Sequence, residues 1–158
     1  MGINLGSTTI LNVLTFLSIF ATIVTTFVLH HLSNINNKKT FLDNQLIELQ
    51  RLSFYDTFVE DENYTHKWVE TKEKYLNKQL SEEEIKKFLK YDVYTEMLFN
   101  FIEKALTIYK TEEKLLNYID FKSWIRTHAE CWKKPLEEHS NREVYGDNMS
   151  DMIDKWLK

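Results

Sequence analysis

"ILNVLTFLSIFATIVTTFVLHHL", residues 10–32, decides how the rest of this chain is read. Ile10 to Leu29 is a run of 20 residues without a charged side chain. As a helix it is about 30 Å long, which matches the hydrocarbon core of a bilayer. A cleaved secretory signal would carry a basic leading segment, a shorter apolar run and a small-x-small cleavage site. Here "MGINLGSTT" has no Lys or Arg before the run, and "VLHHLSN" after it offers no such site. The expectation is a retained transmembrane helix over residues 10–32, with 1–9 as a short extracytoplasmic N-terminus. Gly6 stands where a myristoylation motif needs Ser or Thr, so Gly2 is not expected to be acylated.

About a quarter of the run is Asn, Ser and Thr, and the placement of these residues matters. At about 100° per residue, Asn12, Thr15, Ser18, Thr22, Thr25 and Thr26 fall within a sector of roughly 140°. Phe16, Phe20, Ile23 and Phe27 gather on another face. In lipid, small residues let helices approach closely, and hydroxyls bond across the contact. Asn12 is the costliest of the set in a membrane and most needs a partner. Ser and Thr also bond their own i−4 carbonyls and then face lipid harmlessly. That explains their presence but not their confinement to one side. The stripe therefore predicts a span that associates with copies of itself or with another span. A water-lined pore is a stronger reading of the same stripe.

Charge separates this segment from the rest. The 158 residues include 20 Lys and Arg and 24 Asp and Glu, and none of them precedes Lys38. Lys38, Lys39 and Arg51 follow the span, which predicts an inner-membrane, single-pass protein with its N-terminus out and its C-terminal domain in the cytoplasm. Two glycosylation sequons, Asn63-Tyr64-Thr65 and Asn148-Met149-Ser150, would matter only in a luminal domain and are read as chance. The net charge of −4, with both signs mixed, gives no footprint for duplex nucleic acid. One cysteine, Cys131, excludes an internal disulfide and fits a reducing compartment.

With Gly 3 and Pro 1, the chain lacks the turn punctuation of a sheet protein, and an all-α fold is expected. Residues 33–60 read as a juxtamembrane segment. Its amphipathic helix, about 39–59, carries Leu42, Leu46, Leu49, Leu52 and Tyr55, and it either follows a polar juncture at "SNINNKK" or continues the span. Residues 61–158 read as a small cytoplasmic helical bundle. Asp61 is a candidate N-cap for a helix with Tyr64, Trp68, Tyr75 and Leu76 as its apolar points. "SEEE" is a capping box from Ser81 to Glu84. "DVYTEMLFNFIEKALTIYK" reads as a central helix bearing Val93, Met97, Leu98, Phe101, Ile102, Ala105 and Tyr109. Thr111 and Asp120 can cap the next two helices. The second of these gathers Phe121, Trp124, Ile125, His128 and Trp132 on one face and stops near Pro135. Asp147 or Ser150 opens a last helix with Met152, Ile153 and Trp156.

Motifs of chemistry are missing from the sequence. There is no phosphate-cradling glycine loop, no H-E-x-x-H and no Cys-x-x-Cys, and no cofactor is implied. His128 and Cys131 are one helix turn apart, but zinc needs three or four ligands, so they read as core residues. Glu62 and His66 are judged alike. Pairs such as Glu82-Glu83 read as solvated surface, and no catalytic residue is named. If a pocket for a small anion exists, Arg126, Lys133, Lys134 and Arg142 are its candidates.

The stretches "YTEMLFNFIEKALTIYK", "IDFKSWIRTHAECWKKPLEEH" and "REVYGDNMSDMIDKWL" resemble a broad group of bacterial single-span membrane proteins of unknown function. The shared features are a long apolar helix, a Trp-bearing helix ending near Pro135, and Tyr145 in a turn before a final amphipathic helix. The resemblance implies one N-terminal span followed by a small cytoplasmic helical domain, and it supplies no catalytic residues. The expected function is a membrane-anchored interaction or regulatory protein, not an enzyme, homo-oligomeric through its span and bound to a cytoplasmic protein partner. The alternative is a ligand-gated membrane effector, similar in layout to those of antiviral defence. Its soluble domain would sense a small anionic or nucleotide signal, and its spans would perturb the membrane.

Overall fold

A computed structural model describes the backbone of residues 5–136 and 139–158, and side chains from Thr15 onward apart from 137 and 138. The fold is all-α, with no strand among the described residues. Two compact units divide the chain, residues 1–40 and 41–158. Helix α1, Leu5–Tyr55, starts in the first and ends in the second. The polar juncture at residues 33–39 is thus helical, with no Gly or Pro to interrupt it.

In the first unit every described side chain from Thr15 to Thr40 is exposed. The segment lacks a protein core of its own. Its backbone polar groups are satisfied within the helix, which is the arrangement an apolar solvent demands.

The second unit is built around α4, Glu82–Tyr109. It opens on the expected capping box: the Ser81 amide donates to Glu84 at 2.8 Å, and the Glu84 amide donates to the Ser81 hydroxyl at 3.4 Å. It closes on Lys110 in the left-handed conformation at φ 62. Phe88, Tyr91, Leu98, Phe101, Ile102 and Ala105 are buried along it. The last residues of α1 lie antiparallel to α4, with Asp56 paired to Lys90 at 2.8 Å and Phe41 beside Lys104. Leu42 and Leu49 enter the core. Tyr55, expected on the same face, is 76% exposed. It stands six residues past Leu49, about 120° away on the wheel. Val93 and Leu76 also face outward, against expectation, because the buried arcs of their helices are centred elsewhere.

Short helices complete the bundle: α2 Glu62–Thr65, α3 Trp68–Leu76, α5 Glu112–Tyr118, α6 Phe121–Thr127, α7 Ala129–Lys133, α8 Asn141–Val144 and α9 Asp147–Trp156. Asp61, Thr111 and Asp120 cap α2, α5 and α6, their side chains accepting from backbone amides two or three residues ahead. The helix expected from Asp61 through Leu76 is broken at His66 and Lys67. The helix expected across "FKSWIRTHAECW" is broken at His128, whose amide reaches back only to Ile125 at 3.2 Å. That break turns the imidazole inward.

Aromatic packing joins the pieces. Trp68 and Tyr75 both stack on Phe88, at 4.8 and 4.7 Å between ring centroids. All four indole N–H groups find acceptors far away in sequence: Trp68 on the Lys134 carbonyl, Trp124 on Glu60, Trp132 on Asp154 and Trp156 on Glu112. Buried indoles need such partners, so each of these bonds pins one segment to another.

Candidate functional site

Glu60 ends a 3₁₀ turn, Thr57–Glu60, that follows α1. Val59 is buried and anchors this turn, so the next side chain is held against α4 and α6. Glu60 Oε1 accepts from the Tyr94 hydroxyl and, at 2.7 Å, from Trp124 Nε1. Its Oε2 stands 3.5 Å from Nε2 of His128, whose side chain is fully buried. His128 Nδ1 is 2.9 Å from the Tyr91 hydroxyl. Which of Nδ1 and the Tyr91 hydroxyl donates depends on the imidazole tautomer. Beneath them, Thr95 Oγ1 lies 3.1 Å from Cys131 Sγ and donates to the Asp92 carbonyl at 2.8 Å.

The electrostatics follow from burial and pairing. Burial pushes the Glu60 carboxyl up, but the His128 hydrogen bond and charge, helped by Tyr94 and Trp124, outweigh it and hold the group below the usual carboxylate range. Burial raises the Tyr91 and Tyr94 phenols, and in Tyr94 the bond to Glu60 adds to the effect. Both stay neutral. Burial first, then the Glu84 charge, lifts Tyr64 to about 12. The cluster is therefore a carboxylate clamped by two neutral donors and an imidazole. Its thiol is buried and engaged by Thr95 and so is not presented to a substrate. What the arrangement does is couple the turn after α1 to α4 and α6 through one ionised group. Among the described residues, no three His, Cys, Asp or Glu side chains converge as a metal site.

The residues singled out from sequence lie elsewhere, apart from His128 and Cys131. Thr15, Ser18, Thr22, Thr25 and Thr26 are all exposed on α1, and the Asn12 side chain lies outside the described residues. The Thr22 hydroxyl donates to the Ser18 carbonyl at 2.9 Å, the local back-bond available to any helical threonine. Of the four basic candidates, Arg126 donates to the Trp156 carbonyl at 3.3 Å, and Lys133 pairs with Glu130 at 3.6 Å. Arg142 is clamped between Asp151 and Asp154. Lys134 contributes its carbonyl to Trp68. Each basic group with a partner thus meets a different acceptor. Glu62 and His66 are both exposed.

Among the described residues of the second unit, clefts open beside α4. One of about 600 Å³ lies between the end of α4 and the start of α9, lined by Glu103, Thr107, Lys110, Asn148 and Met152 among others. Glu103 already accepts there from the Gly146 amide at 3.5 Å. The other, about 310 Å³, lies between α1 and α4. Neither cleft nor the Glu60 cluster was visible in the sequence. Glu60, Tyr94, Trp124 and His128 are separated by up to 68 positions and form no spaced motif.

No protein-family model, curated protein or solved structure matches this chain. The likeness to bacterial single-span proteins therefore stands only at the level of layout: one long apolar N-terminal helix followed by a small helical domain.

Proposed function

We propose that this chain is a membrane-anchored interaction protein, with α1 as its span and residues 41–158 as a cytoplasmic module that docks a protein partner. One observation carries the anchor. Phe16, Phe20, Ile23 and Phe27 are 58–71% exposed, on a helix whose apolar stretch has no buried residue among those described. A water-soluble protein would cover so continuous an apolar surface. Lipid is the solvent that suits it. The basic residues Lys38 and Lys39 at its end favour a cytoplasmic module. The polar stripe supports pairing of spans, since Thr15, Ser18, Thr22, Thr25 and Thr26 are all exposed on one helix.

Alkaline carbonate extraction of cells expressing the full chain tests the anchor. Retention in the pellet is expected, and release into the supernatant would refute it. Crosslinking in membranes tests the pairing: Asn12→Leu with Thr22→Leu should reduce the oligomer, and an unchanged ladder removes the stripe's role.

A second reading, the ligand-gated effector, is supported by the clefts on the helical unit. It predicts growth arrest with dye entry on overexpression, abolished when the span is exchanged for an unrelated one. Absence of toxicity under every inducer counts against it.

A further inference from the structure

Helix α1 runs unbroken to Tyr55, and its last turns carry two large apolar side chains that the bundle leaves uncovered. Ile47 is 60% exposed and Phe54 is 78% exposed. Leu42 and Leu49, from the same turns, are buried in the core. At about 100° per residue, Ile47 and Phe54 lie roughly 120–160° around the helix from those leucines. They are not the margin of the packed face but stand away from it.

Their place on the wheel is the informative fact. Eighteen residues make five turns, so Ser18, Asn36 and Phe54 share one position, and Leu29 and Ile47 share another. Both positions fall inside the roughly 140° sector that holds Thr15, Ser18, Thr22, Thr25 and Thr26. Between the two groups that sector carries Ser33, Asn36, Thr40 and Asn44, all exposed and uncharged. The charges that enter it are compensated within the chain. Asp43 accepts from the Tyr118 hydroxyl at 2.6 Å, and Arg51 is drawn to Glu48 at 2.7 Å.

This pattern selects the occupant. In a two-fold pair of identical parallel helices, each residue at the seam meets its own copy. A free charge there would face a like charge, whereas an apolar side chain faces an apolar one. Area points the same way. Ile47 and Phe54 present roughly 300 Å² of apolar side chain, against about 800 Å² per partner in a standard interface. That is too little to hold an unrelated protein from solution. Two copies inserted in one membrane with the same orientation are already parallel, and paired spans give their following turns an effective concentration near the mM range. A small patch is then enough.

We propose that Ile47 and Phe54 form the end of a parallel, two-fold seam between two copies of this chain, each side chain packing on its own counterpart. The proposal rests on the reading of α1 as a pairing span, and it adds that the pairing is in register and continues beyond the apolar run.

Single-cysteine crosslinking of the full chain in membranes tests it, with copper-phenanthroline as oxidant. A disulfide needs Cα atoms within about 7 Å, a separation that two packed helices offer only at their seam. Ile47→Cys and Phe54→Cys should each give at least fivefold more disulfide dimer than two exposed controls. Phe41→Cys is the control on the same helix, about 120° from Ile47, and Val93→Cys is the control on α4. Native Cys131 is buried and common to every variant, so the unsubstituted chain sets the background. Adding Phe54→Asp to Ile47→Cys should cut its dimer at least fivefold, with near-ultraviolet circular dichroism confirming that the bundle is intact.

Thr22→Cys reports on the span separately. Dimers at Ile47→Cys and Phe54→Cys no stronger than the controls overturn the proposal. A Thr22→Cys dimer in that case leaves span pairing standing, and its absence removes both. Undiminished Ile47→Cys dimer in the folded Phe54→Asp variant also overturns the proposal. Strong dimers at Ile47→Cys and Phe54→Cys without one at Thr22→Cys uphold the seam and remove the stripe's role in the span.

Discussion

Two helices of this protein carry the same kinds of side chain and treat them in opposite ways. In α1, Phe16, Phe20 and Phe27 point outward with no protein against them. In α4, Phe88, Phe99 and Phe101 are at most 2% exposed. The hydroxyls divide likewise. Thr22 turns back on its own helix, whereas Thr95 is buried and meets a thiol from α7. The difference lies in what surrounds the aromatics in sequence. Acids and bases along α4 give it one face for water, so its apolar arc must be covered by protein. Residues 10–32 of α1 have no charge and so no face for water. Aromatic content alone does not make a core; the charges beside it decide which solvent the helix meets.

Substitutions sharpen that contrast. Trp68→Ala should have the largest effect, about 3–5 kcal/mol of unfolding free energy, because a fully buried ring leaves a cavity between α3 and α4. Urea unfolding of the full chain followed by near-ultraviolet circular dichroism reads it. Phe20→Ala in the same assay should change nothing, and a comparable loss there would mean the apolar helix packs on protein.

Glu60→Gln comes next, at about 1–3 kcal/mol, since hydrogen bonds to a charged, half-buried acceptor are lost or weakened. Its pH dependence carries a sign. The folded-state pKa of Glu60 lies below its unfolded value, so its contribution is present above the usual carboxylate range and is lost as pH falls through the lowered folded value. Wild type should therefore lose stability on acidification below about pH 4, and Glu60→Gln should show a shallower limb. Parallel limbs would show that Glu60 does not govern the coupling.

Ser81→Ala, which removes one half of a capping box, should cost about 1 kcal/mol and fray the first turn of α4. Loss of amide-exchange protection at Glu84 and Ile85 is the direct readout. Arg142→Ala should be the smallest effect. Its two ion pairs are exposed, and solvent screens them, so the melting midpoint should stay where it is. A clear fall would reveal α8 and α9 as more tightly bound to each other than their surface pairs suggest.

Much of the fold was legible because helix signals are local. Ser81 and Glu84, Thr111, and Asp120 announced their helix starts within four residues, and all of them cap as read. Outward residues inside apolar patterns were misread. Val93 and Tyr55 belong to runs that look buried, and only the position of the neighbouring helix shows that they are not. His128 and Cys131 were correctly read as core residues, but the acid that meets His128 was not seen. Glu60 comes from a turn with no periodicity, and it reaches its partners across 34 to 68 positions.

By itself the sequence determined that the chain is all-α, where most of its helices begin, and that one uncharged segment is apolar enough and long enough to cross a bilayer. These are properties of neighbours along the chain: spacing, capping and local charge. Only the tertiary structure decided that Glu60 is clamped by Tyr94, Trp124 and His128, that Arg142 is spent on Asp151 and Asp154, and that Lys104 comes to lie over the Phe41 ring. Which polar groups find partners depends on helices distant in sequence arriving side by side, and no local pattern encodes that meeting.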